Sequence, residues 1–228
     1  GGMTRRALLA GLGALAPAAA FGQGQVYEPA PPRGSAFVRF ANTLPGPVQI
    51  RPDFLPALNL GAQPAQRVGA YTVVENVANR TLRVEVTEGA RRGQGSFRAG
   101  PDSFVTVLIH RGADGGPAIA TVVEDTDFNR ARARLAFYNA LPDCPSAALQ
   151  LLPGGQAVLA DVPALAGRAR SVNPVTAEVR AACGARASAP FSLQGLEAGG
   201  MYSIWMIPGA AGAPEAFLTR DVTAPIHR

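Results

Sequence analysis

A six-residue segment occurs twice in the chain, as FANTLP at residues 40–45 and as FYNALP at residues 137–142, 97 positions apart. Two glycines and a proline much further along keep the same offset, with Gly112, Gly115 and Pro117 corresponding to Gly209, Gly212 and Pro214. An offset that holds over this distance indicates two copies of one module of about 95 residues, near the usual size of a small domain. The alternative is that strand and turn patterns resemble one another in any β protein.

Both copies consist of short apolar or alternating segments bounded by Gly, Pro, Asn or Asp. Examples are SAFVRFAN and DSFVTVLIHR in the first copy, and RARLAFYN and MYSIWMIPG in the second. Strands of this length, with turn signals roughly every 8–12 residues, are typical of an all-β sandwich. No window after residue 22 keeps a helical period for long enough to predict an amphipathic helix. We therefore expect an all-β protein with two tandem β-sandwich, immunoglobulin-like domains related by the internal repeat.

Residues 1–22 have the features of an export signal. Two glycines that look like additions precede Met3, and a pair of arginines at 5 and 6 then leads into a short Ala/Leu/Gly-rich run that ends in small residues. That run is too short and too weakly apolar to span a bilayer. We expect cleavage of this signal and export to the periplasm, by either the general secretory or the twin-arginine route.

The rest of the chain divides by composition. We expect a proline-rich extended tail at 23–34, a first domain at 35–125, a linker at 126–130 and a second domain at 131–228. The stretch from 124 to 132, EDTDFNRAR, favours a solvated connection. Its three acidic residues are too few for Ca²⁺, which takes about 6–8 oxygen ligands.

Cys144 and Cys183 are the two cysteines, and both fall in the second copy. An even number in an exported chain predicts a disulfide confined to the second domain, and two buried free thiols are the alternative. A metal site is not expected, because His110 and His227 are the only histidines that could complete a set of ligands. No cofactor is expected either.

All 21 basic residues are arginines, and the net charge is +5. The arginines are scattered along the chain, whereas nucleic-acid binding predicts a basic stripe with interleaved aromatic residues, so we expect no nucleic-acid partner. Arginine can hold a carboxylate through two parallel hydrogen bonds. An acidic polysaccharide or an acidic protein therefore remains a possible partner.

No catalytic constellation is visible in the sequence. The G-x-S-x-G nucleophile motif is absent, and neither His110 nor His227 has neighbours typical of a general base. The segment GARRGQGSF at 89–97 is typical of a flexible hairpin, and Trp205, within MYSIWMI, is expected in the core. We expect a protein that is not an enzyme, with a β-sandwich esterase as the enzymatic alternative.

The segment VYEPAPPRGSAFVRFAN at 26–42 resembles the start of the mature alginate biosynthesis protein AlgF family. The matching positions are Tyr27, Pro29, Pro32, Gly34, Ser35, Phe37, Val38, Arg39 and Asn42. A less specific match is SVNPVTAEVRAACG at 171–184, through Asn173, Pro174 and Val175. The order of signal, motif and two β modules also resembles the family, while the cysteine pair, the absence of lysine and the longer Pro/Gly-rich loops depart from it.

The resemblance implies two β-sandwich domains and a non-catalytic periplasmic role in O-acetylation of an exopolysaccharide, either alginate or a similar polymer. The expected partners are periplasmic O-acetyltransferases and a membrane-bound acetyl-transfer protein. Tyr27, Glu28, Arg33 and Arg39 are the candidate partner-binding residues, unless Tyr27 and Pro29 only pack the tail across the first domain. Direct binding of an acidic polysaccharide through arginine side chains is the alternative function.

Overall fold

The computed structural model describes residues 30–226, and its regular elements are strands apart from one 3₁₀ turn at Pro64–Gln66. The first copy contains β1 (Ala36–Asn42), β2 (Val48–Pro52), β3 (Leu58–Leu60), β4 (Thr72–Val74), β5 (Leu82–Glu88), β6 (Arg91–Phe97), β7 (Phe104–Arg111) and β8 (Pro117–Val123). The second contains β9 (Ala133–Asn139), β10 (Ala147–Leu152), β11 (Ala157–Val162), β12 (Ala166–Val172), β13 (Ala177–Cys183), β14 (Arg186–Ala187), β15 (Phe191–Leu193), β16 (Met201–Ile207) and β17 (Glu215–Arg220). The all-β class is confirmed.

Each copy forms two sheets. In the first copy they have the orders β4-β1-β7-β8 and β3-β2-β5-β6; in the second they have the orders β12-β9-β16-β17 and β11-β10-β13-β14, with β15 also paired to β13. We call the two sheets that contain β1 and β9 the inner sheets, and the other two the outer sheets. At the centre of each inner sheet two strands run parallel, with Phe37 opposite Phe104 in the first and Arg134 opposite Met201 in the second. The repeat offset is therefore kept in the strand register.

Three apolar layers separate the four sheets. The first lies between the inner and outer sheets of the first copy, and the second occupies the same place in the second copy. The third lies between the two inner sheets. Both faces of each inner sheet are thus covered, which explains why all seven residues of β9 are buried.

The layer between the inner sheets is built from matching positions of the two copies with different side-chain sizes. Three positions of the first copy carry small or aliphatic residues where the second copy carries aromatic residues at the same offset. The pairs are Ala41 with Tyr138, Leu108 with Trp205, and Ala120 with Phe217. The Tyr138 and Trp205 rings stack with their centroids 4.2 Å apart. The second copy therefore presents a ridge of aromatic side chains to a shallower face of the first.

The recurring hexapeptide ends the first strand of each copy in the same way. The Asn42 amide donates to the carbonyls of Gly46 and Gly61, at 2.9 and 3.0 Å, and its Oδ1 accepts from the N–H of Leu44. Asn139 makes the equivalent three bonds, to Cys144, Val162 and Leu141. The recurrence of the hexapeptide is therefore explained by the turn that follows the first strand of each copy.

Cys144 and Cys183 form the expected disulfide, with their Cα atoms 6.1 Å apart. It joins the loop before β10 to the end of β13 within the second sandwich. Within residues 30–226, no helix has the length and apolar character needed to cross a membrane.

Two connecting segments are more ordered in part than their sequences suggest. Residues 89–97 belong to a hairpin, as predicted, in which residues 91–97 form strand β6 and pair with β5 along its whole length. The glycines of β6 allow close packing against β8, since a Cβ at Gly93 would lie 1.7 Å from the Pro117 carbonyl oxygen. The connection that begins at Glu124 is not fully solvated, because the Glu124 side chain is only 4% exposed.

Candidate functional site at the domain interface

Arg39 lies at the centre of the contact between the two inner sheets. It alternates along β1 with the core residues Val38 and Phe40, so its side chain leaves the other face of the sheet, toward the second copy. The side chain is 1% exposed, and its charge is therefore buried inside the protein.

The Arg39 guanidinium binds groups from both copies. Its Nε donates to Thr106 Oγ1 at 2.9 Å, Nη1 donates to Asp221 Oδ1 at 2.9 Å, and Nη2 donates to the hydroxyls of Tyr138 and Ser203, at 2.9 and 3.1 Å. All three of its nitrogens are engaged, which is the condition under which a charge can be buried.

Aromatic rings enclose the same guanidinium. Its central carbon lies 4.4 Å from the ring centroid of Tyr71 and 5.0 Å from that of Trp205. Tyr71 comes from the first copy and Trp205 from the second, so the cation is held between rings of both sandwiches.

Arg134, in β9, makes the reciprocal contact. Its Nη2 donates to Glu124 Oε2 at 3.1 Å and its Nε donates to the carbonyl of Asp125 at 2.9 Å. Its Nη1 lies 3.9 Å from Asp221 Oδ2. Each copy thus contributes one arginine that binds an acid near the end of the other copy's last strand.

The acids and their hydroxyl partners obey the repeat offset. Thr106 and Ser203 are 97 positions apart, as are Glu124 and Asp221. Thr106 Oγ1 donates to Glu124 at 2.7 Å, and Ser203 Oγ donates to Asp221 at 2.6 Å. Sequence reasoning missed these four residues. The offset already found in the hexapeptides would have shown only that Thr106 is equivalent to Ser203 and Glu124 to Asp221.

Burial favours the protonated form of the phenols in this network. It raises the pKa of Tyr71 and of Tyr138 well above the ordinary value near 10, and the nearby Arg39 charge only partly opposes that shift. For Arg39 burial acts to lower the pKa, but the nearby Tyr138, Asp221, Tyr71 and Glu124 together outweigh it and raise the pKa above its ordinary value. The buried contact contains two guanidinium groups, of Arg39 and Arg134, and two acidic side chains, of Glu124 and Asp221, so positive and negative groups are equal in number.

This arrangement can couple the two sandwiches, but its buried groups do not face solution. Arg39, a candidate partner-binding residue, is used within the chain, and its burial does not fit that role. Arg33 is exposed and stays a prediction, whereas Tyr27 and Glu28 lie outside the described residues, as does His227. The Nδ1 of His110 lies 3.0 Å from the Arg111 carbonyl oxygen, and Trp205 is fully buried, as expected.

The solvent-facing sides of the two outer sheets carry charged side chains. Arg83 and Glu85 alternate along β5 with core residues, and together with Arg51 of β2 they line a groove of about 440 Å³ on the first sandwich. On the second sandwich Arg180 Nε donates to Gln150 Oε1 at 2.8 Å. The two polar faces point in opposite directions, because both inner sheets lie between them.

No protein-family model matches the chain, and no curated protein matches it at a significant level. The resemblance carried by residues 26–42 stays a hypothesis, and the geometry of the chain itself must support any function.

Proposed function

We propose that this protein is a non-catalytic periplasmic adaptor for O-acetylation of an exopolysaccharide, either alginate or a similar polymer. In this role it bridges a membrane-bound acetyl-transfer protein and periplasmic O-acetyltransferases. The disulfide between Cys144 and Cys183 fits an oxidising compartment such as the periplasm. The segment at 26–42 supplies the link to acetylation.

One structural observation carries the bridging role: two polar sheet faces are held back to back by a buried ionic contact. A bridge needs two surfaces whose relative position does not change, and the network around Arg39 and Arg134 fixes the inner sheets to each other. The face with Arg51 and Arg83 and the face with Arg180 are therefore available to different partners at the same time. Arg33, at the exposed start of the first domain, is a further candidate contact.

The test measures binding to the two partner classes with one face altered at a time. The wild-type protein is expected to hold a purified O-acetyltransferase and the membrane acetyl-transfer protein in one complex. R51E/R83E changes the first face and R180E the second, so each variant should lose one partner and keep the other, which makes each the control for its counterpart. If the wild type binds none of these partners in pull-down experiments, the adaptor role is refuted.

The groove on the first sandwich favours a second candidate, binding of an acidic polysaccharide. Arg51 and Arg83 are exposed there together with Asp53 and Glu85, and the neighbouring Gln94 and Ser96 can bond sugar hydroxyls. Affinity for a polyuronate should fall as salt rises, because exposed charges are screened beyond about 8–10 Å at physiological ionic strength. Titration at low salt that shows no difference between a polyuronate and a neutral glucan would exclude this candidate.

A further inference from the structure

A pocket of about 320 Å³ opens at one edge of the second sandwich, between the edge strands β11 and β12. Leu135, Val179 and Leu193 line it, and all three belong to the core of the second sandwich. Protein interiors are normally packed without voids of this size. Leu135 and Val179 are themselves fully buried, and the half-buried side chains of Leu151, Val158 and Val172 form the part of the pocket that meets solution.

The charged residues that line this pocket are all positive. Arg132 and Arg170 line it, and no Asp or Glu does. Arg170 lies opposite Leu135 in the β12–β9 ladder, so it stands on the core-facing side of the edge strand, and its Nη1 donates to the Val158 carbonyl at 2.9 Å. Arg132 Nε donates to Asn173 Oδ1 at 3.0 Å. Neither guanidinium is paired with a carboxylate in these contacts.

An exposed apolar residue stands at the same opening. Val175 lines the pocket and is 60% exposed, one of three large hydrophobic residues with this degree of exposure among residues 30–226. Here apolar side chains continue from the core to the surface beside positively charged arginines. Such a site suits a ligand that has an apolar part and a negatively charged group.

The first sandwich provides an internal comparison. A smaller pocket of about 240 Å³ lies at the corresponding edge, near β3 and β4, and it is lined by Val38, the equivalent of Leu135. Thr72 lies opposite Val38 there, in the place that Arg170 takes opposite Leu135. No charged residue lines this pocket. The fold therefore does not require arginines at this edge, and they are specific to the second copy.

We propose that the pocket of the second sandwich binds a medium-chain fatty carboxylate. The apolar chain occupies the opening between β11 and β12, and the carboxylate lies against Arg132 and Arg170. The volume accommodates on the order of ten non-hydrogen atoms at about 30 Å³ each. A guanidinium can bind a carboxylate through two parallel hydrogen bonds, and this geometry selects it over an uncharged head group. The pocket lies on neither polar face assigned to the adaptor partners, so binding there can be tested by itself.

The first experiment titrates the intact, disulfide-bonded protein with octanoate, decanoate and 1-decanol below their aggregation limits, using isothermal titration calorimetry. One saturable site is expected, with decanoate binding about tenfold more tightly than octanoate, because each buried methylene adds to the apolar contact. The uncharged 1-decanol should bind about fivefold more weakly than decanoate. Absence of saturable decanoate binding, or equal affinity for decanoate and 1-decanol, would overturn the proposal.

The second experiment places the site. R132Q/R170Q should weaken decanoate binding about fivefold and leave 1-decanol unchanged. Ala177→Phe should fill the pocket and remove binding of both ligands, whereas Ala70→Phe, in the uncharged pocket of the first sandwich, should leave both affinities unchanged. If Ala177→Phe does not fold, the site can be located from the methyl chemical shifts of the wild type. Decanoate should change the methyl shifts of Val158, Val172 and Val175. Shift changes confined to other residues would contradict this site.

Discussion

Asn139 satisfies three backbone groups that the turn after β9 would otherwise leave without partners. They are the carbonyls of Cys144 and Val162 and the N–H of Leu141, and the asparagine itself is fully buried. An unsatisfied buried polar group costs about 1–3 kcal/mol. This one side chain therefore stabilises a turn that β-sheet pairing cannot hold, and Asn42 does the same in the first copy.

Replacement of this side chain should be costly. Asn139→Ala is expected to lower the free energy of unfolding by about 2–4 kcal/mol, because the carbonyls and the N–H lose their partner. Urea denaturation of the oxidised protein measures the change. Asn59→Ala, at an exposed position of β3, is the control and should change stability by less than about 0.5 kcal/mol. Equal small effects for the two variants would show that the turn does not depend on the amide.

The buried phenols predict a loss of stability at alkaline pH. Burial raises the pKa of Tyr71 and Tyr138 in the folded state, whereas in the unfolded chain they release their protons near pH 10. The folded state then holds protons that the unfolded state has lost, so stability is full below about pH 10 and falls above it, by about 1.4 kcal/mol per pH unit for each tyrosine. Urea denaturation at pH 8 and pH 11 should show the fall, and Tyr71→Phe should reduce its slope. An unchanged slope in that variant would exclude Tyr71 as a source.

Among the elements, strand β6 depends on glycine for its place in the first sandwich. Gly93→Ala should lower the free energy of unfolding by about 1–3 kcal/mol or more, because its Cβ would overlap the backbone of Pro117 in β8. Gly100→Ala is the matched control, since a Cβ there meets nothing within 4 Å. Thermal unfolding of the two variants compares them directly, and a tolerated Gly93→Ala would mean that β6 and β8 can separate at little cost.

The elements also show what the sequence can and cannot predict. Strand β5 alternates buried and exposed residues from Leu82 to Val86, and such a pattern is readable because one face of its sheet meets solvent. The contact between the inner sheets is not readable in this way. Arg39 and Arg134 belong to a residue type that is mostly exposed, and Arg39 meets an aspartate 182 positions away. The repeat offset marks Thr106 and Ser203 as equivalent positions, but it does not show that they bind a buried arginine.

On the scale of the whole molecule, each sandwich has its own core, and the third apolar layer joins the two. Residues 23–126 and 130–228, produced separately, should each fold as β-rich units and combine as a 1:1 complex. Neither should pair with itself as readily, because the aromatic ridge of Tyr138, Trp205 and Phe217 fits the shallower face of the first copy.

Sedimentation of the separate and mixed halves tests this expectation. Self-association of either half as tight as the mixed complex would show that the ridge is not selective. A half that remains unfolded even when mixed would show that the two sandwiches form only as one cooperative unit.

The two copies differ in side-chain size at three matching positions of their contact, and this difference bears on the history of the chain. The positions are Ala41 and Tyr138, Leu108 and Trp205, and Ala120 and Phe217. A duplicated gene whose products once met through identical surfaces could lose either copy and still assemble as a symmetric dimer. Here two second copies would set bulky rings against bulky rings, and two first copies would leave a gap between them. We therefore expect that a symmetric dimer of one copy could no longer replace the other copy, so that loss of either half would abolish this contact.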